Sequence, residues 1–114
     1  MPKQREIRAT GPVLKALALF LEYHPQPLSG ADIIAKRRIL SGTMYPALER
    51  LEQAGWIKSE WENVDPSTVG RPRKRFYNLT PRGLLNAGDL LLEFGIQVST
   101  GKAKRPSMVE ARKK

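Results

Sequence analysis

The apolar positions follow one rhythm up to residue 55 and a different one just after it. Val13, Leu14, Leu17, Phe20 and Leu21 recur at helical spacing behind Thr10, a residue suited to an N-cap, and predict a helix to about Tyr23. His24-Pro25-Gln26-Pro27 ends it, because each proline lacks an amide donor and disfavours the α conformation of the residue before it. Ser29, with Asp32 three positions on, opens a short second helix in the pattern of a capping box. Ile33 and Ile34 face inward, and Lys36 and Arg37 close the helix where cations complement its dipole. After a turn of three or four residues, a third helix is predicted to start within Ser41-Gly42-Thr43. Met44, Ala47, Leu48 and Leu51 form its buried stripe, and Gly55 is the expected left-handed terminator. Pro46 falls in its first turn or just after, where a missing donor costs little.

From Trp56 the period becomes two. Ile57, Ser59 and Trp61 alternate with Lys58, Glu60 and Glu62, and Arg75, Tyr77 and Leu79 alternate with Lys74, Phe76 and Asn78. Two strands, 56–62 and 73–79, are predicted, joined by a loop at 63–72 too long for a tight turn. Thr80-Pro81, an N-cap followed by a proline at the first helical position, launches a fourth helix to about Val98. One of its stripes holds Leu84, Gly88, Leu91, Gly95 and Val98; beside it run Leu85, Leu92 and Ile96. A helix covering one small domain needs a single stripe, so this helix is expected to pair two copies of the chain, the alternative being a wide apolar face buried wholly within the monomer. Leu84, Leu85, Gly88, Leu91, Leu92 and Gly95 are the candidate dimerisation residues. Gly83, Gly88 and Gly95 each cost about 1 kcal/mol of helix propensity relative to alanine, which close approach to a neighbouring backbone would offset.

The expected fold is therefore mainly α with a small β-hairpin: a winged helix-turn-helix domain plus a C-terminal dimerisation helix. Its parts are a flexible arm (1–9), the winged domain (10–79), the dimerisation helix (80–98) and a disordered basic tail (99–114). No internal repeat is present.

With 114 residues there is room for one small domain. The absence of cysteine excludes disulfides and thiolate metal sites and fits a reducing cytoplasm. The apolar run from Val13 to Leu21 does not read as a signal peptide, since Lys15 interrupts it and Glu22 ends it; no segment approaches the roughly 20 apolar residues of a membrane span. One histidine and no thiol give a nucleophile–base triad or metal centre little support, the acids show no obvious pairing for carboxylate-only catalysis, and there is no phosphate-cradling Gly-x-x-x-x-Gly-Lys. The expectation is a cytoplasmic, nucleoid-associated protein that is not an enzyme and carries no cofactor. His24 is a turn residue.

Charge adds the first functional clue. The formal net charge is +9, and its placement is uneven. Arg71, Arg73, Lys74 and Arg75 put four cations in five residues, and 102–114 holds six cations against Glu110; the remaining ten cations are matched by ten acids. Two basic runs on a neutral background point to a polyanionic partner.

The second and third helices form a helix-turn-helix, and the hairpin makes it winged. A major groove about 12 Å wide admits one helix, whose N-terminal residues reach base edges. Ser41, Thr43, Tyr45, Pro46 and Arg50 are the outward candidates, and Arg71, Arg73 and Lys74 the wing candidates, because the loop offers no acid beyond Asp65 to hold its arginines. Several roles stay open. Tyr45 either meets DNA or packs on the wing. Arg50 either grips phosphate or pairs with Glu49 or Glu52. Trp56 and Trp61 are core or dimer-edge aromatics, or line a ligand pocket.

The run Ser41-Gly42-Thr43-Met44-Tyr45-Pro46-Ala47-Leu48, continued by Arg50-Leu51-Glu52-Gln53-Ala54-Gly55-Trp56-Ile57, resembles the recognition-helix signature of PadR-family regulators. Gly70-Arg71-Pro72-Arg73-Lys74-Arg75-Phe76-Tyr77-Asn78-Leu79-Thr80-Pro81-Arg82-Gly83 is similar to that family's wing and wing-to-helix junction. The resemblance covers about 12–98 and is strongest over 41–83. It implies a winged-helix fold, a two-fold dimer built on the C-terminal helix and repression at a dyad operator in double-stranded DNA. It places Thr43, Tyr45 and Pro46 in the groove and Arg71 and Arg73 on the wing. An inducer, in regulators that have one, often binds at the dimer interface, but the sequence names no effector. Where family members often carry a Tyr-Gly-Tyr-like stretch entering the second helix, this chain has Leu28-Ser29-Gly30-Ala31-Asp32. The alternative is a winged-helix module that binds protein or RNA, with only non-specific nucleic-acid affinity; preference for a palindrome over random duplex separates the two. A membrane-surface role ranks last, as Met108 and Val109 are too few apolar residues to anchor the tail.

Overall fold

The computed structural model describes residues 7–103. Helix α1 (Gly11–Tyr23) starts on Thr10, whose side chain accepts from the Val13 amide at 3.3 Å. It is the centre of the molecule: Val13, Ala16, Leu17 and Phe20 are buried, with α3 and α5 packed against it. Past the prolines comes a two-residue strand, β1 (Leu28–Ser29), and then α2 (Gly30–Arg37). The capping box is present: the Asp32 amide donates to Ser29 Oγ at 3.0 Å and the Ser29 amide to Asp32 Oδ2 at 3.2 Å. A turn, Arg38 to Leu40, leads to α3 (Ser41–Gln53). Arg38 takes the left-handed conformation (φ 55°).

Strands β2 (Ile57–Trp61) and β3 (Arg75–Leu79) pair antiparallel with Ser59 opposite Tyr77, and a one-turn helix α4 (Pro66–Val69), capped by Asp65, lies in the loop between them. Helix α5 (Pro81–Glu93) follows Thr80, which accepts from the Gly83 amide at 2.9 Å. It packs on α1 through Ala87, Leu90 and Leu91.

The helix-turn-helix, the hairpin and the predicted caps are all present, and the differences have local causes. The sheet has three strands in the order β1-β3-β2, because Leu28 and Ser29 pair with Tyr77 and Phe76. Residues 56, 62, 73 and 74 fall outside the strands. Because α3 begins at Ser41, Pro46 stands in its second turn and removes the bond to the Gly42 carbonyl; both residues are exposed, so water can replace it. Helix α5 stops at Glu93, five residues short of Val98, because Gly95 (φ 68°) closes it: the Ile96 amide donates to Leu91 O at 2.9 Å and the Gly95 amide to Leu92 O at 3.0 Å. Its length is about 20 Å.

The described parts of the expected arm and tail contact the rest of the domain. Ile7 is buried, so 7–9 belong to the folded unit. The Lys102 amide donates to the Glu22 carbonyl at 2.9 Å and its Nζ reaches Glu22 Oε1 at 3.3 Å, tying the chain after α5 to the end of α1. The rest of the expected arm and basic tail, 1–6 and 104–114, lies outside the described residues.

Two glycines of α5 predict opposite outcomes. A Cβ on Gly83 would overlap the Trp56 carbonyl oxygen, whereas one on Gly88 meets nothing within 4 Å. Gly83→Ala is expected to destabilise the fold by about 2 kcal/mol or more through forced backbone movement, and Gly88→Ala to stabilise the helix by about 1 kcal/mol. Urea unfolding of both variants checks the pair of signs.

Candidate nucleic-acid interface

Helices α1, α2 and α5 begin on side-chain caps, but α3 begins on Leu40, which offers none. The Thr43 and Met44 amides reach the Leu40 carbonyl at 2.9 Å, which leaves the Ser41 and Gly42 amides without intrahelical partners. The buried stripe Met44, Ala47, Leu48 and Leu51 turns Ser41, Thr43, Tyr45, Pro46 and Arg50 outward, all of them exposed. With no acid in its first turn, this helix end presents free donors and the positive pole of the dipole to any incoming anion.

Tyr45 packs against the start of α2. Its ring lies so close to Gly30, the first residue of α2, that a Cβ there would come within 2.6 Å of it. The ring therefore locks α3 to α2 while remaining 43% exposed. Arg50 makes no ion pair among the described residues, because Glu52 is held by Ser59 and Arg75 and Glu49 by Gln53.

The wing divides its four cations evenly. Arg71 forms a bidentate ion pair with Glu62, Nη1 to Oε1 at 2.7 Å and Nη2 to Oε2 at 3.0 Å. This corrects the expectation that the wing lacks a partner acid: Glu62, just past β2, folds back under the loop. Glu62 also accepts from the Lys74 amide at 3.1 Å. The Arg71 hydrogen bond, then the Lys74 amide, hold its carboxyl down at about 2, against an ordinary 4.5. Arg75 is also engaged. Its Nε donates to Ser59 Oγ at 3.0 Å and its Nη2 to Glu52 Oε1 at 3.1 Å, with the guanidinium 5.6 Å from the centroids of both Trp61 and Tyr77. Arg73 uses only Nε, on the Val64 carbonyl at 2.8 Å. The free charge of the wing is thus Arg73 and Lys74.

Between α3 and the wing lies an open cleft of about 410 Å³, with Ser29 and Gly30 on one side, Trp61, Arg73 and Lys74 on the other, and Tyr45 and Tyr77 between. Sequence reasoning missed this cleft. It read Trp61 as a core or dimer-edge aromatic, or as lining a pocket; Trp61 is exposed and lines the cleft, and of the two tryptophans only Trp56 is core. The alternation of Trp61 with charged positions 58, 60 and 62 points it inward, so the pattern alone gave no signal of its exposure at the end of β2.

The model of the transcriptional regulator PadR-like family matches residues 26–88, from the turn after α1 to the middle of α5. The chain belongs to this family. Solved structures agree. A PadR-like transcription factor from Bacteroides fragilis is similar at 26% identity over 74% of this chain and 82% of that one, with a TM-score of 0.59. The smu.1704 protein of Streptococcus mutans is similar at 25% identity over 82% and 84%, with a TM-score of 0.62. Lactococcus lactis ZitR shares the fold at 21% identity and a TM-score of 0.59; the match covers 81% of this chain and 57% of ZitR. No curated protein matches in sequence. Family and fold are those of transcription regulators. Among the described residues no helix is long and apolar enough to cross a membrane, and no cluster of acids and histidine could hold a metal ion.

In this PadR-like chain two candidate dimerisation residues are differently employed. Leu91 is buried against its own α1, and Gly95 is the left-handed cap beyond the helix. Leu84, Leu85, Gly88 and Leu92 are exposed, as is Phe94 at the helix end.

The Glu62–Arg71 pair sets a pH dependence. Because the folded carboxyl titrates below its unfolded value, its contribution is complete above about pH 4.5 and is lost as pH falls towards about 2. The melting temperature of the wild type is expected to fall relative to that of Glu62→Gln across this window. The change should be small, since the pair faces solvent. A gap between the two proteins that stays constant with pH would remove the ion pair from the account.

Proposed function

We propose that this PadR-like chain is a sequence-specific DNA-binding repressor acting as a homodimer on a palindromic operator. The observation that carries the reading is the uncapped amino end of α3, with Ser41, Thr43, Tyr45 and Pro46 exposed beside a wing whose free cations are Arg73 and Lys74. The amino end of α3 enters the major groove and the wing holds the flanking backbone or the minor groove. Arg50 adds a phosphate contact further along α3. The dimer forms through the exposed apolar face of α5, Leu84, Leu85 and Leu92 with Gly88 between them, which would otherwise face water. A two-fold dimer sets two recognition helices about 34 Å apart, matching successive major grooves on one face of the duplex.

Selection of binding duplexes from a random pool, followed by anisotropy titration, tests this. Enriched duplexes should be palindromic, and a pool without dyads would count against the model. Thr43→Ala should cost about 1–3 kcal/mol per half-site on the selected duplex and far less on random DNA. Arg73→Ala should weaken both alike and lower the salt slope by about 0.9 for each phosphate it no longer neutralises. Arg71→Ala should leave the slope nearly unchanged, since Glu62 already neutralises that guanidinium.

Leu85→Asp with Leu92→Asp is expected to convert the chain to a monomer and abolish tight operator binding while the far-ultraviolet helical signal persists. Sedimentation of the wild type as a monomer at micromolar concentration, with operator binding intact, would overturn the dimer.

A further inference from the structure

Trp61 is 61% exposed at the end of β2, with no apolar side of the domain to cover it. A large ring left in water forgoes the burial that usually stabilises it. Its setting is nevertheless fixed. The Arg75 guanidinium stands 5.6 Å from its centroid and is itself anchored to Glu52 and Ser59, so the indole lies against a held partner. Trp61 shares the cleft with Tyr45 and with the two unpaired wing cations, Arg73 and Lys74. The opposite wall is the start of α2, where the Tyr45 ring lies directly against Gly30.

A nucleic-acid strand alternates anionic phosphates with apolar sugar edges, and this cleft sets cations beside aromatic rings. We propose that one strand of the duplex backbone crosses the cleft between α3 and the wing, with a deoxyribose resting on Trp61 and the adjoining phosphates against Arg73 and Lys74. Trp61 is then a positioning residue that grips DNA regardless of sequence. An extruded base is the weaker occupant, since leaving the stack costs a few kcal/mol and nothing in this open cleft encloses a base. The inference rests on the DNA-binding reading proposed for α3 and the wing.

The test uses the full chain, a selected duplex and a random one. Trp56 is buried in the core, so DNA-dependent changes in indole accessibility report on Trp61. Both duplexes should shield Trp61 from acrylamide quenching. Trp61→Ala should weaken binding roughly tenfold on both, the effect of returning several tens of Å² of ring surface to water, and should leave the salt slope unchanged because no charge is removed. Trp61→Phe should recover most of that affinity. DNA that binds without shielding Trp61 overturns this proposal and spares the parent reading, as does a Trp61→Ala loss confined to the selected duplex, which would make Trp61 a reader of sequence. Failure to bind any duplex sinks both, and the wild-type titration alone reveals that case.

Discussion

At the end of α3 the chain turns on Gly55, and the Trp56 amide donates back to the Leu51 carbonyl at 3.0 Å. The Trp56 carbonyl then accepts from the Thr80 amide at 3.0 Å, while the Thr80 hydroxyl donates to the Gly55 carbonyl at 2.6 Å. Gly83 leaves room for that same carbonyl to sit against the first turn of α5. Helix α3, both wing strands and α5 are thus tied together at the two peptide groups that flank Trp56. The angle between the wing and α3 follows from this junction. Any side chain at 83 would push α5 away from the base of the wing.

The charges of the wing divide into those that shape it and those that face outward. Arg71 and Arg75 commit their guanidiniums to Glu62 and Glu52, while Arg73 and Lys74 keep theirs. Solvent-facing ion pairs of this kind contribute little net stability. Their effect is conformational: Glu62 bridges Arg71 and the Lys74 amide across the root of the loop, which orients the segment between them. Counting basic residues overstates the charge a polyanion would meet.

The parts of the fold legible in the sequence are those decided within a few residues. Thr10, Ser29 and Thr80 bond amides three positions on, and Gly55 adopts the left-handed conformation expected of it, because such signals are local. Strand β1 was not legible, since two residues acquire a strand only by meeting β3 some fifty positions later. Nor was the Arg71–Glu62 pair, which depends on how a ten-residue loop folds back. The end of α5 was misread for another reason: Gly95 fitted an apolar stripe as well as it fits a terminator, and the periodicity of Ile96 and Val98 carried the helix too far. The outward positions of α3 followed correctly from its buried stripe, whereas the neighbours of Tyr45 and Trp61 needed the third dimension.

The contacts of Arg75 join Glu52 near the end of α3 to Ser59 on β2, with the arginine itself on β3. Helix α3 and the wing are therefore joined side by side through Arg75. In the homodimer proposed above, a small rotation at α5 would be magnified at the far tips of both wings.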